Sequence, residues 1–222
     1  MTAFIFDCDG VLVDSETLSV TELGRSLRLA GARITDAEIF TRMIGRPIAE
    51  IVSIVAREHG TDATPFLPEF RTRLAARFED ELRALPGMAE ALAKLPGGPK
   101  AVASSSTLPR LAQTLKLTGL WDHFAPHVYS ATQVARGKPA PDLFLFAAER
   151  LGVAPRDCIV IEDSPAGIEA AQAAGMRVVA LTGGSHAEAS GLEIRVRALS
   201  PDAVIAAAEE LPETLRGMMT TV

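Results

Sequence analysis

Short apolar runs alternate with helical patterns along most of this chain. AFIF (3–6), KAVAS (100–104), HVYS (127–130), CIVIE (158–162) and RVVAL (177–181) are β-rich, four or five residues long, and followed by polar, Gly or Pro residues. GMAEALAKL (87–95), LPRLAQTLKL (108–117), PDLFLFAAERLG (141–152) and PAGIEAAQAAG (165–175) carry apolar residues at three- and four-residue spacing, and glycine closes the last two. Continuous apolar strands separated by helices require burial of both strand faces. The expected fold is therefore α/β: a Rossmann-like parallel sheet core with helices on both faces.

The alternation breaks once. From about Ser15 to Leu85 no strand pattern is present, and three helical stripes replace it: Val20, Leu23, Leu27, Ala30; Ile48, Ile51, Val52, Val55; and Phe70, Leu74, Phe78, Leu82. A crossover after the first strand needs only one helix. The excess predicts a small inserted α-helical cap domain over 15–85, with the catalytic core made of 1–14 and 86–222. Hinges are expected near Val13–Ser15 and Leu85–Gly87. The alternative is that these helices simply pack on the sheet.

Charged residues gather where the strands end. In FIFDCDGVLVDSE (4–16) a buried run stops at two carboxylates, Asp7 and Asp9, separated by Cys8. Side chains two apart on an extended chain share a face. Like charges that close require a cation between them or a proton on one. Ser104, Ser105 and Ser106 follow the second strand, Lys138 precedes a helix, and Glu162-Asp163 ends the fourth strand. Ser164 and Pro165 suit the cap and first position of the next helix. In open parallel sheets ligands bind beyond the carboxyl ends of the strands. Carboxylates, hydroxyls and an ammonium at that edge are the parts of a phosphoryl-transfer site, with Mg²⁺ as the hard cation that oxygen ligands favour. Each part alone has a commoner explanation as a turn, a helix cap or a solvated loop residue.

These segments resemble the haloacid dehalogenase superfamily, and more closely its β-phosphoglucomutase-like phosphatases with a helical cap. FDCDGVLVDSE is similar to the first motif of that family, SSS to the second, GKPAPDLF to the third and IEDSPAGIEAAQAAGM to the fourth. The resemblance implies Asp7 as the nucleophile that forms an aspartyl-phosphate, and Asp9 as the acid and base. Ser104, with the Ser105 backbone, and Lys138 would hold the phosphoryl group. Mg²⁺ would be bound by Asp7, the Asp9 main chain, Asp163 and, directly or through water, Glu162. Gly10 would let the chain turn beside metal and phosphate. Glu16, Gly45 and Arg46 match positions on the helical cap that face substrate, and Arg46 suits a second anionic or hydroxyl-rich part of it.

Several other chemistries fit less well. A dehalogenase needs neither the Asp7/Asp9 pair nor a metal acid such as Asp163. A phosphonatase of this kind uses a cap lysine, and residues 15–85 contain none. A sugar phosphomutase is the alternative within the family, but DSE (14–16) is more similar to its sugar-phosphate phosphatases. A receiver domain has no place for the helical insertion, and a non-catalytic phospho-ligand binder would not need every catalytic residue type. CDG is not the GxGxxG of a dinucleotide site, and TGGSH (182–186) lacks that spacing too. His123 and His127 have no third partner for zinc.

The formal charge of −6 disfavours nucleic acid as a partner. No apolar run approaches the roughly 20 residues of a membrane span. The only two cysteines, Cys8 and Cys158, form no CxxC pair and read as reduced thiols of a cytoplasmic protein. The expected protein is a monomeric phosphatase acting on a small phosphorylated metabolite, a sugar or sugar-acid phosphate.

Overall fold

The computed structural model describes residues 1–43, 46 and 48–220. In chain order its regular elements are β1 (Ala3–Phe6), α1 (Glu16–Leu29), α2 (Asp36–Arg42), α3 (Ile48–His59), α4 (Leu67–Glu81), α5 (Met88–Lys94), β2 (Lys100–Ser104), α6 (Leu108–Leu117), β3 (Val128–Ser130), α7 (Asp142–Leu151), β4 (Cys158–Glu162), α8 (Pro165–Ala173), β5 (Arg177–Leu181), α9 (Ala187–Ser190), α10 (Leu192–Arg197), β6 (Ala203–Ile205) and α11 (Leu211–Thr220). The strands form one sheet of order β3-β2-β1-β4-β5-β6. Every pairing is parallel, and Phe6 lies between Val102 on β2 and Ile161 on β4.

The two-residue period of each strand divides the core into two layers. Phe4, Phe6, Val102, Ile159, Ile161, Val179 and Leu181 face one side, against Leu92 of α5, Leu111 and Leu115 of α6, and Leu211 and Leu215 of α11. Ala3, Ile5, Ala101, Ala103, Val160 and Val178 face the other, against Phe144 of α7, Ile168 of α8 and Val196 of α10. The small residues on this second face let its helices approach closely. Both cysteines are free and buried, and burial raises both thiols, Cys158 to about 11, so they stay protonated at neutral pH.

Helices α1–α4 follow β1 and form a helical layer in which α1 packs on both α2 and α4, and α1, α3 and α4 face the cavity at the carboxyl ends of the strands. Glu22 on α1 is buried and accepts from Arg73 Nε on α4 at 2.9 Å, while Arg73 also donates to Ser26 Oγ at 2.7 Å. The chain enters and leaves this layer through two adjacent antiparallel segments. The Leu85 amide donates to the Leu12 carbonyl at 2.9 Å, and the Asp14 amide donates to the Arg83 carbonyl at 3.1 Å. Apolar packing nonetheless runs without interruption from the sheet into this layer through Val11, Leu12, Val13, Leu82 and Leu85.

Two details depart from the sequence reading. Extended geometry ends sooner after β1 than the alternation of Asp7 and Asp9 supposes. The Cys8 carbonyl already accepts from the Leu12 and Val13 amides, and Gly10, at φ +82°, reverses the chain. A sixth strand, β6, in a segment to which the sequence reading assigns no element, adds to the sheet edge by parallel pairing with β5.

Phe124 packs edge-on against Phe6 with centroids 5.4 Å apart and is almost fully buried. Phe124→Ala is expected to cost about 3–5 kcal/mol, measured by urea unfolding. A cost under about 1 kcal/mol would show that the cavity collapses and that this contact does not anchor the core.

Candidate active site

The ends of β1, β2 and β4 open onto a cavity of about 450 Å³ roofed by the helical layer. Asp7, Asp9, Ser104, Ser105, Lys138, Glu162 and Asp163 line it from the sheet side. Glu16, Arg46, Ile51, Phe70, Arg71, Leu74 and Phe78 line it from α1, the Arg46 segment, α3 and α4. Seven residues from three strand ends and one loop therefore meet, as their positions in sequence predict. Gly10 lies behind the cavity wall, against Asp163. Gly45 is outside the described residues.

A buried ion triad forms the floor. Lys138 Nζ donates to Asp7 Oδ1 and to Glu162 Oε1, each at 2.7 Å, and lies 4.9 Å from the centre of the Phe144 ring. The Asp7 amide still donates to the Ile161 carbonyl, which holds this carboxylate on the line of β1. Glu162 is fully buried, and its other oxygen accepts from the Asp163 amide, the Ser164 amide and the Ser164 hydroxyl at 2.7–3.0 Å. Ser164 in turn caps α8 by accepting from the Gly167 amide, with Pro165 at the first helical position. Burial lowers Lys138, but Asp7 and Glu162 outweigh it and hold the ammonium above its ordinary value. Burial pushes Asp7 well above the usual carboxylate range; Lys138 opposes this, and Glu162 and Asp163 reinforce it. Asp163 is raised in the same sense by burial and by Glu162.

Ligand oxygens of Asp7, Glu162 and Asp163 lie within 4.8 Å of one another, and all three residues are buried. Three carboxylates against one ammonium leave a surplus of negative charge that a divalent cation would balance. Hard oxygen donors alone favour Mg²⁺ over softer metals. The backbone accommodates such a centre closely: a Cβ on Gly10 would fall 2.0 Å from Asp163 Oδ2. Glu162, whose two oxygens already serve four donors, is the most committed of the three.

Asp9 stands apart from the triad. Ser15 Oγ and Arg110 Nη2 donate to its Oδ1 at 2.6 and 2.9 Å, and Ser106 Oγ donates to Oδ2 at 2.7 Å. Burial alone would raise Asp9, but the Arg110 guanidinium and the three hydrogen bonds hold it below the usual carboxylate range. Glu16, at the start of α1, is pushed up to about 8, mainly by burial and then by the charges of Asp9 and Asp163. Ser104 is buried and accepts from the Ser106 amide at 3.1 Å, whereas Ser105 is exposed at the cavity edge. Arg46 is ion-paired with Glu50 and donates to the Arg42 carbonyl at 2.8 Å.

Arg110, Ser15, Arg71 and His186 belong to this region and are not among the residues the sequence singles out as site residues; Ser106, which the sequence names only as part of the serine run, joins it through Asp9. Arg110 carries a signal in retrospect. A cation in the first turn of a helix opposes the helix dipole, so its place needs another partner, and Asp9 is that partner. Arg110 also sits 5.0 Å from the centre of the Phe78 ring, joining α6 to α4. Ser15, Ser106 and His186 carry no such signal: Ser15 meets Asp9 through the local turn at Gly10, and only the fold brings Ser106 to Asp9 and His186 to Asp163.

The model of the haloacid dehalogenase-like hydrolase family matches residues 1–175. The chain is 32% identical over 178 residues to the 6-phosphogluconate phosphatase of Escherichia coli K12, covering 79% of this chain and 80% of that protein. It is 36% identical over 184 residues to hexitol phosphatase A of the same organism, covering 80% and 82%. The crystal structure of a conserved haloacid dehalogenase-like protein from Agrobacterium tumefaciens superposes with a TM-score of 0.86 at 36% identity, covering 99% of both chains. With four motif segments converging on one cavity and a family match over most of its length, the chain belongs to the haloacid dehalogenase-like hydrolases.

Proposed function

We propose that this protein is a Mg²⁺-dependent phosphatase that hydrolyses a small sugar phosphate or sugar-acid phosphate through an aspartyl-phosphate on Asp7. The observation that carries this reading is the buried Asp7–Lys138–Glu162 triad beside Asp163, at the floor of a cavity large enough for a metabolite. The relatives named as 6-phosphogluconate and hexitol phosphatases support the substrate class. Residues 15–85 form the cap domain in this reading, with the paired Leu12–Asp14 and Arg83–Leu85 segments as hinges. The core is then 1–14 and 86–222.

The chemistry follows from the residues. Lys138 engages Asp7 Oδ1 and leaves the carboxylate's other oxygen to attack phosphorus. As the new Asp7–phosphorus bond forms, the ester P–O bond breaks and the leaving alkoxide takes a proton from Asp9. Water then attacks phosphorus, Asp9 receives its proton, and inorganic phosphate departs with Asp7 restored. The arrangement described above holds Asp9 ionised, the form the second step needs. For the first step Asp9 must release Arg110 and carry a proton. The Lys138 ammonium and the Ser104 hydroxyl stabilise charge on the phosphoryl oxygens. The Asp7 and Asp163 carboxylates and the Asp9 main chain, with Glu162 in support, would hold Mg²⁺, which would add to the neutralisation of that charge.

Specificity rests with the helical layer. Glu16, which burial pushes up to about 8, lines the cavity at the start of α1 and is placed to hydrogen-bond a substrate hydroxyl. Arg46 is already compensated by Glu50, whereas Arg71 lines the cavity and has no ion pair among the described residues. Arg71 is thus the better-placed cation for a carboxylate at the far end of a sugar-acid phosphate.

Phosphate release from a panel of phosphomonoesters is expected to require Mg²⁺ and to stop in excess chelator; undiminished turnover there would exclude the metal. Asp7→Asn should abolish turnover and the acid-labile phosphate trapped on rapid quenching. Ordinary turnover in that variant would remove Asp7 as the nucleophile. Arg71→Ala should raise KM for 6-phosphogluconate by about tenfold or more, in keeping with a lost charge-assisted contact, while leaving KM for a hexitol phosphate near its original value. Equal effects on both substrates would show that Arg71 does not read the carboxylate.

A further inference from the structure

The segment TGGSH (182–186) has no part in the chemistry above, yet it ends in one of the most buried titratable groups of the molecule. His186 is 1% exposed. Its Nε2 lies 3.1 Å from Asp163 Oδ2, but neither ring nitrogen has an aligned hydrogen bond. A buried imidazole with both nitrogens unpaired is costly, and such groups in native proteins have a specific partner or role. The backbone around it is shaped to admit the ring. A Cβ on Gly184 would fall 2.6 Å from His186 Cε1 and 2.7 Å from Nδ1, and a Cβ on Gly10 would fall 3.1 Å from Cε1. Glycines from two separate loops, after β1 and after β5, therefore make room for one imidazole against one carboxylate.

We propose that His186 is a positioning residue for Asp163: its Nε2–H donates to Asp163 Oδ2 and presents the other carboxylate oxygen to the divalent cation. This rests on the reading of Asp163 as a cation ligand. The loop that carries the ring is itself anchored. The Ser185 amide and hydroxyl donate to Asp14 Oδ1 at 3.2 and 2.8 Å, and the Ser185 hydroxyl meets that of Thr17 at 2.8 Å. The Thr182 amide donates to the Ile205 carbonyl at 2.9 Å, and the His186 carbonyl accepts from the Ser190 amide at 3.0 Å. Held at both ends, the ring needs only a change of tilt to align with the carboxylate. Partners that orient metal-bound carboxylates typically govern affinity 10–100-fold.

The test is calorimetric titration with Mg²⁺ and EPR-detected binding of Mn²⁺, on the full chain of the wild type, His186→Phe, His186→Gln and His186→Asn. His186→Phe is expected to bind both cations about 10–100-fold more weakly, without a lower melting temperature in chelator. His186→Gln, whose amide nitrogen reaches the place of Nε2, should recover affinity to within about threefold of wild type, and His186→Asn, one carbon shorter, should not. Wild-type affinity in folded His186→Phe overturns the proposal. Should that variant not fold, equal affinities in the Gln and Asn variants overturn it. Absence of cation binding by the wild type removes the metal reading itself, and this role with it.

Discussion

The arrangement of this active site depends on one buried ammonium. Lys138 lies between Asp7 on the line of β1 and Glu162 at the end of β4, within 2.7 Å of both. Glu162 in turn gathers the amides that begin α8. A single chain of charge-assisted bonds therefore connects two adjacent strands, a loop and a helix start. Buried charges of this kind are costly to leave unpaired, which makes the set mutually dependent. Loss of the ammonium would leave two desolvated carboxylates facing one another, and the local structure would have to shift or take up protons.

A second cluster, around Arg110, connects the sheet to the helices above it. Its guanidinium binds Asp9, comes within 3.4 Å of the Ser19 hydroxyl on α1, and packs over the Phe78 ring on α4. One side chain from the core thus touches both long helices of the insertion and the carboxylate next to the triad. The two clusters treat their carboxylates oppositely. Asp7 is raised by burial and by its acidic neighbours, while Asp9 is lowered by the Arg110 cation, which also donates to it, and by two serine hydroxyls. Pairs of carboxylates with environments this different are how one site keeps distinct chemical roles for the same functional group.

Much of this was legible in the residues themselves. Five of the six strands and all but one of the helices between them follow from apolar period, because strands buried on both faces and helices buried on one leave different repeats. β6 did not, since an edge strand of three residues gains most of its stability from its neighbour and little from its own composition. Helix α2 was also missed, although Thr35 and Glu38 form the capping box that starts it. The acids, Ser104 and Lys138 were readable as a set because parallel strands deliver their carboxyl ends to one edge. Arg71 was not, because it lies on α4, far in sequence from any strand end, nor was His186, because the loop after β5 carries no spacing that marks its imidazole.

Determined by the amino-acid order alone, then, were the parallel sheet, the helical insertion after its first strand, and the roll of groups at the strand ends. These are local properties: period, turn chemistry and position along a strand. Which carboxylate pairs with which partner was decided only by tertiary structure. Asp9 meets Arg110 from about a hundred residues away, Glu162 turns to Lys138 and the α8 amides, and His186 reaches Asp163 only because Gly10 and Gly184 lack side chains. Electrostatic environment depends on distances of a few ångströms between segments remote in sequence, and no periodicity within a single segment encodes those distances.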